Sequence, residues 1–149
     1  MIIGGPGAGK SYLARLMSVR LGLPVTTVDD LVRSSGNSPQ SAEQIDGMAI
    51  TAAEQDRWII EGGNTRTYAV RVARADLLIR LCPPRPLRLL RVLRRRSVSR
   101  QLLFWTWRYD AVFGAKDRAA VEAAKARSIR VLELARRADV ERFVGSLPA

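Results

Sequence analysis

Histidine is absent from this 149-residue chain. Its absence removes serine–histidine and cysteine–histidine catalysis, histidine-bearing metal sites and imidazole proton transfer. Protons can then move only through carboxylates, lysine, tyrosine or a bound metal. Cysteine is nearly absent too. Cys82 stands alone, cannot form an internal disulfide, and reads as a small buried residue at a strand end. Acids are scarce, 14 against 25 basic residues, which leaves a net charge of +11. Lysine supplies only Lys10, Lys116 and Lys125 of that charge; the rest is arginine. Such an excess favours anionic ligands, whether nucleotides, phosphate esters or nucleic acid. Apolar runs fall well short of the roughly 20 residues that span a bilayer. Glycines occupy the stretch where a secretory leader would be apolar. A cytoplasmic protein without membrane contact is the expectation.

What is present begins at the fourth residue. Gly4, Gly5, Pro6, Gly7, Ala8, Gly9, Lys10 and Ser11 fit G-x-x-x-x-G-K-[ST], the phosphate-cradling P-loop. Glycines let the backbone fold back and aim several N–H groups at one anion. Lys10 is expected to reach the β- and γ-phosphates of a nucleotide such as ATP, and the Ser11 hydroxyl to sit on Mg²⁺. The context agrees. Met1, Ile2 and Ile3 read as a strand, and Leu13, Leu16, Met17 and Leu21 mark a helix over 11–21. That helix carries Tyr12 beside the loop and points its positive end at the phosphates.

Strands at 25–28, 58–60, 77–81 and 129–134 alternate with helices at 41–54, 67–74, 86 onward, 116–127 and 137–144. Residues 34–41, rich in Ser, Gly, Asn and Pro, read as a loop. Alternation of this kind predicts one α/β domain over 1–149. Together with the phosphate loop, its expected form is a three-layer P-loop NTPase fold, a five-stranded parallel sheet with helices on both faces. A basic, helical, lid-like region is expected around 85–109.

Ligands of such sheets bind beyond the carboxyl ends of the strands. Asp29, past the second strand, is a candidate to take an acceptor's proton or hold Mg²⁺ through water; a helix-capping role for Asp29 or Asp30 weighs about equally. Glu61, past the third, stands where an acid organises Mg²⁺ or its waters. Gly62 behind it suggests close ligand approach, and Arg66 and Arg71 are candidates to grip an acceptor phosphate. From position 80 to 100 there are eight arginines and no acid. Leu89, Leu90 and Leu93 fall on one side of this helix and Arg88, Arg91 and Arg95 on the other. Arg91, Arg94 and Arg95 are the candidates to cover the transferred group. Phe104, Trp105, Trp107 and Tyr109 read as a core seam between helices in preference to a base-stacking platform.

The whole arrangement resembles the small adenylate-kinase-related P-loop kinases known as DNA topology modulation proteins. The likeness rests on the P-loop and on Gly22-Leu23-Pro24 with Val28-Asp29. Asp56-Arg57-Trp58-Ile59-Ile60-Glu61-Gly62 continues it, set against that family's RWIIDGN, as do Thr65-Arg66-Thr67, Arg74-Ala75-Asp76, Pro84-Arg85, the Arg91–Arg96 run and the closing Asp139-Val140-Glu141-Arg142-Phe143. It implies an ATP·Mg²⁺-dependent phosphotransferase acting on a nucleoside monophosphate or small hydroxyl compound, with adenine near Ala135 and Arg136. A nucleotide-regulated nucleic-acid-binding protein working through the arginine helix, or a weak ATPase, is the alternative. Three departures stand out: Glu61 in place of Asp, Cys82-Pro83 in place of an acidic–apolar pair, and only residues 97–100 where the family has a longer lid. Lid closure excludes water, so a shortened one favours hydrolysis.

Overall fold

Ile2 and Ile3 are 1% and 0% exposed, so the strand they form (β1, Ile2–Ile3) is buried on both faces and must be central. The computed structural model, which describes residues 1–28, 41–95 and 98–148, places it there. Five strands run in the order β2-β3-β1-β4-β5, every neighbouring pair parallel. The others are β2 (Val25–Thr27), β3 (Ile59–Glu61), β4 (Leu77–Leu81) and β5 (Arg130–Leu134). Register aligns Ile2 with Glu61 on one side and Ile79 on the other, so the ends of β1 and β3 open onto the same edge.

Among the described residues the helices are α1 (Lys10–Leu21), α2 (Ala42–Glu54), α3 (Tyr68–Ala73), α4 (Arg85–Leu93), α5 (Arg100–Val112), α6 (Gly114–Ala126) and α7 (Arg137–Gly145), with a 3₁₀ turn at Thr65–Thr67. Strand alternation divides the core. Ile2, Ile59, Ile79 and Leu81 pack with Leu13, Met17 and Phe143, while Ile3 and Leu78 pack on the opposite face with Tyr68, Val72, Val121 and Ala124. These are the three layers of an α/β P-loop kinase fold. Ser41 accepts a hydrogen bond from the Gln44 amide and Gln44 answers at the Ser41 N–H, which sets where α2 begins.

Several expectations are corrected. The basic and aromatic segments are separate helices, because the Ser99 hydroxyl accepts the Leu102 N–H and starts α5 afresh. Phe104 and Trp107 are 55% and 56% exposed, so of the aromatic stretch only Tyr109 belongs to the interior and the seam reading fails. On α4 the arginine side turns inward: Arg88 and Val92 are buried, while Leu90 and Leu93 face solvent. Cys82 is half-buried rather than buried. Among the described residues no helix is long and apolar enough to cross a membrane.

Candidate functional site

The chain leaves β1 at Gly4 and must turn under α4 before α1 can start. A Cβ on Gly7, whose φ is +75°, would come within 2.4 Å of the Arg88 carbonyl oxygen; one on Gly4 would meet the Leu81 carbonyl oxygen at 2.3 Å. Glycine at these positions is therefore a steric necessity as well as a conformational one. The Ala8 amide donates to the Gly5 carbonyl, and Gly9, in the left-handed region, leads straight into α1. Lys10 opens that helix and its Nζ donates to the Gly5 carbonyl at 3.2 Å, folding the side chain back over the loop. An anion cradled here would meet backbone amides, one ammonium group and the positive end of a 12-residue helix.

Beneath the loop the Ser11 hydroxyl donates to Glu61 Oε1 at 2.7 Å. Glu61 closes β3, is 1% exposed, and its second oxygen Oε2 is buried without a hydrogen-bond partner. A buried acceptor left open in this way costs free energy unless something fills the position. The sequence brings Ser11 and Glu61 together from 50 residues apart because β1 and β3 are neighbours in register. Behind them Arg71, 0% exposed, donates to the carbonyls of Ile60, Gly62 and Gly63. Burial lowers its pKa to about 10, against the raising influence of Tyr68 and Glu61. Arg71 therefore holds the Gly62–Gly63 backbone in place of reaching toward a ligand. A Cβ on Gly62, whose φ is +118°, would lie 3.2 Å from the Val28 Cβ, so a larger residue there would be both strained and crowded.

Arg66 is engaged as well. Asp46 takes both its Nε and Nη2, at 2.7 and 2.9 Å, and Asn64 also donates to Asp46. These bonds pull the Asp46 carboxyl below its usual range, the Arg66 bond foremost. Asp29 lies outside the described residues.

Two cavities flank the P-loop. One of about 330 Å³ is lined by Ala8, Tyr12, Pro83, Arg91, Ala135 and Arg136, which joins the predicted pair after β5 to the loop. The other, about 970 Å³, runs past Lys10, Ser11, Thr27, Gly63 and Arg95 to aromatic side chains of α5. Arg91 Nη1 donates to the Gly7 and Ala8 carbonyls at 3.4 and 3.2 Å, so it braces the loop at the mouth of the smaller cavity. Arg95 borders the larger one, and Arg94 is exposed at the end of α4.

Residue-by-residue reading misses three features. Arg88 is buried, lies within 2.2 Å of where a Gly5 Cβ would be, and pairs with Asp110. Asp117 is 2% exposed and accepts the hydroxyls of Tyr68 and Tyr109. Burial raises the Asp117 carboxyl above its usual range, opposed by those two hydrogen bonds, and burial also raises both tyrosines. Asp117 did carry a signal: with Ala120, Val121 and Ala124 it keeps the spacing of one buried helix face. The third is the α5 aromatic wall, legible as spacing but not as facing a cavity.

The fold matches solved structures over nearly its whole length. Shikimate kinase from Acinetobacter baumannii, in complex with shikimate, superposes with a TM-score of 0.65 at 16% identity, covering 96% of this chain and 89% of that one. Shikimate kinase from Bacteroides thetaiotaomicron gives 0.61 at 16% identity, covering 97% and 92%. An uncharacterized protein from Eubacterium ventriosum gives 0.56 at 9% identity, covering 97% and 94%. At such identities the likeness is one of fold. No protein-family model and no curated protein matches the sequence, so the closer resemblance to DNA topology modulation proteins has only its own residues behind it.

Proposed function

We propose that this protein is a P-loop phosphotransferase that moves the γ-phosphoryl group of ATP to a small acceptor. The observation that carries the reading is the Ser11–Glu61 pair, a hydroxyl on a buried carboxylate directly under a phosphate-sized loop, with one carboxylate oxygen left open. That donor set suits a hydrated Mg²⁺, which takes one or two protein oxygens and leaves the rest to phosphate and water. Ser11 and Glu61 are therefore the residues assigned to it. When bound there, the ion would neutralise charge on the triphosphate.

The chain's own part is positioning and charge. Amides of Gly7, Gly9 and Lys10 cradle the phosphates, and the Lys10 ammonium group balances charge that spreads over the γ-phosphoryl oxygens. Arg91 holds the loop in shape from outside. Adenine is assigned to the cavity beside Tyr12, Ala135 and Arg136, and the acceptor to the cavity beside Gly63. Asp29, two residues past β2, is the proposed acceptor of the leaving proton. Arg95 and Arg94 are the proposed cover for the transferred group. Acceptors to test are nucleoside monophosphates and small hydroxyl compounds, the shikimate of the structural neighbour among them.

The test is incubation with ATP·Mg²⁺ and an acceptor panel, read by mass spectrometry. A phosphorylated product is expected, and Lys10→Ala should lower kcat by roughly 10²–10³-fold or more while the melting temperature holds. Full activity in that variant would overturn the reading. ADP without phosphorylated product would mark an ATPase. A nucleotide-regulated nucleic-acid-binding protein is the second reading, favoured by exposed Phe104 and Trp107 beside the arginine helix, with Arg85 stacked over Trp107 at 4.9 Å. Duplex binding that weakens steeply with salt, without transfer to any acceptor, would decide for it.

A further inference from the structure

The larger cavity has an unusual wall opposite its phosphate-binding end. Leu102, Trp105, Tyr109 and Phe113 line it from α5 and the residue that ends it. Their spacing of three, four and four residues keeps them on one side of the helix. Three of the four are aromatic, and they brace each other. The Tyr109 and Phe113 centroids are 5.4 Å apart, those of Trp105 and Phe113 6.0 Å, and Phe104 meets Trp105 edge-on at 5.4 Å. Tyr109 is locked at both ends: its ring lies against Gly5 and its hydroxyl is held by Asp117. Through Phe113 that fixed position is passed to Trp105, which is left 38% exposed with its neighbours already packed.

An indole braced by its neighbours, half open and lining the same cavity of about 970 Å³ as Lys10 and Ser11 is suited to stack a flat ring. It offers little to a saturated polyol, which needs hydrogen-bond partners in place of a π-face. The cations first expected to grip an acceptor are committed elsewhere, Arg66 to Asp46 and Arg71 to backbone carbonyls. Recognition by a guanidinium fork on that side gives way to recognition by a ring platform.

We infer that the acceptor carries a planar aromatic ring of the nucleoside class, which stacks on Trp105 and presents an oxygen to the γ-phosphoryl group. This rests on the phosphotransferase reading above. In the step, the acceptor oxygen bonds to the γ-phosphorus and the bond from that phosphorus to the β–γ bridging oxygen breaks. ADP leaves with the electron pair, and the acceptor's proton passes to the base assigned in that reading.

The experiment has a turnover arm and a binding arm. In the first, nucleosides, nucleoside monophosphates and non-aromatic polyols are offered with ATP·Mg²⁺ to the wild type, Trp105→Ala, Trp105→Phe and the control Trp107→Ala. Ring-bearing acceptors should be the ones phosphorylated. Trp105→Ala should raise their KM by roughly 5- to 100-fold with a smaller change in kcat, the range expected for loss of one stacked base. Trp105→Phe should restore most of that loss, and Trp107→Ala should match the wild type. Nucleosides outperforming their monophosphates, or the reverse, names the source of the ring, and either supports the inference. In the second arm, without ATP, nucleosides should quench indole fluorescence in the wild type and far less in Trp105→Phe. A polyol phosphorylated with a KM indifferent to Trp105→Ala would overturn the ring inference and leave the phosphotransferase standing. Absence of any phosphorylated product, with nucleoside quenching intact, would remove the phosphotransferase and keep the platform. Neither quenching nor a phosphorylated ring acceptor would sink the inference.

Discussion

On the β3 side of the P-loop, arginine is structural. Arg71 is fully buried, and its donors go to the carbonyls of the Gly62–Gly63 segment, while Arg66 is clasped by Asp46 at the surface. Across the loop, on α4, arginine divides along the helix. Arg88 and Arg91 lie against the loop backbone, and Arg94 and Arg95 remain exposed at the helix end. One residue type thus does two jobs, set by distance from solvent. A guanidinium enclosed by carbonyls is held by several hydrogen bonds at once and cannot turn to a ligand. One at a helix end keeps its donors free to follow a phosphate. An arginine count alone does not separate the two.

Each side can be broken independently. Arg71→Met should have the largest stability effect, roughly 3–5 kcal/mol, because it orphans buried carbonyls and leaves Glu61 without its nearby cation. Urea unfolding would measure it, and a loss under 1 kcal/mol would mean Arg71 is not the brace we describe. Arg91→Gln comes next. It should cost about 1 kcal/mol of stability while weakening ATP binding roughly tenfold by calorimetry, since its bonds hold the shape of the loop. Equal and large losses in both would place it with Arg71 instead.

Arg66→Ala should change little, within about 0–1 kcal/mol, because its pair with Asp46 is exposed. It should also leave acceptor KM unaltered; a large rise in KM would return Arg66 to the acceptor site. The smallest effect concerns Asp117, and it appears only against pH. Its folded pKa lies above the ordinary 3.8, so the folded protein keeps a proton that the unfolded chain has lost. That contribution to stability is complete below pH 3.8 and disappears as pH rises through the folded value. Melting temperatures of Asp117→Asn should show a flatter pH dependence across that window; parallel curves would contradict it.

Much of this was legible in the chain. Apolar strands ending in glycine or acid read correctly as a parallel sheet, and the P-loop motif was visible in its spacing. Ala135 and Arg136, expected near adenine, line one cavity with Ala8 and Tyr12. The facing of α4 was not legible. Its leucines and arginines form two clean stripes, and periodicity cannot say which stripe turns inward when the thing covered is a polar loop. The aromatic stretch failed for the same reason: a hydrophobic stripe looks alike whether it meets a core or a cavity. Arg66 and Arg71 sit a short helix apart, and nothing local predicts that one is enclosed and the other clasped.

Local chemistry in the sequence by itself settled the loop, since only glycine tolerates its backbone angles and close approaches, and a lysine and serine follow at the required spacing. It also settled the class of fold, because buried strands alternating with amphipathic helices have few ways to pack. Tertiary structure alone decided the rest. Strand order set Glu61 under Ser11, burial turned Arg71 inward, and the packing of α5 against the loop and α6 left Trp105 half open on the cavity beside the loop. Those outcomes depend on contacts between residues far apart in the chain, whose energies exist only once the sheet has formed.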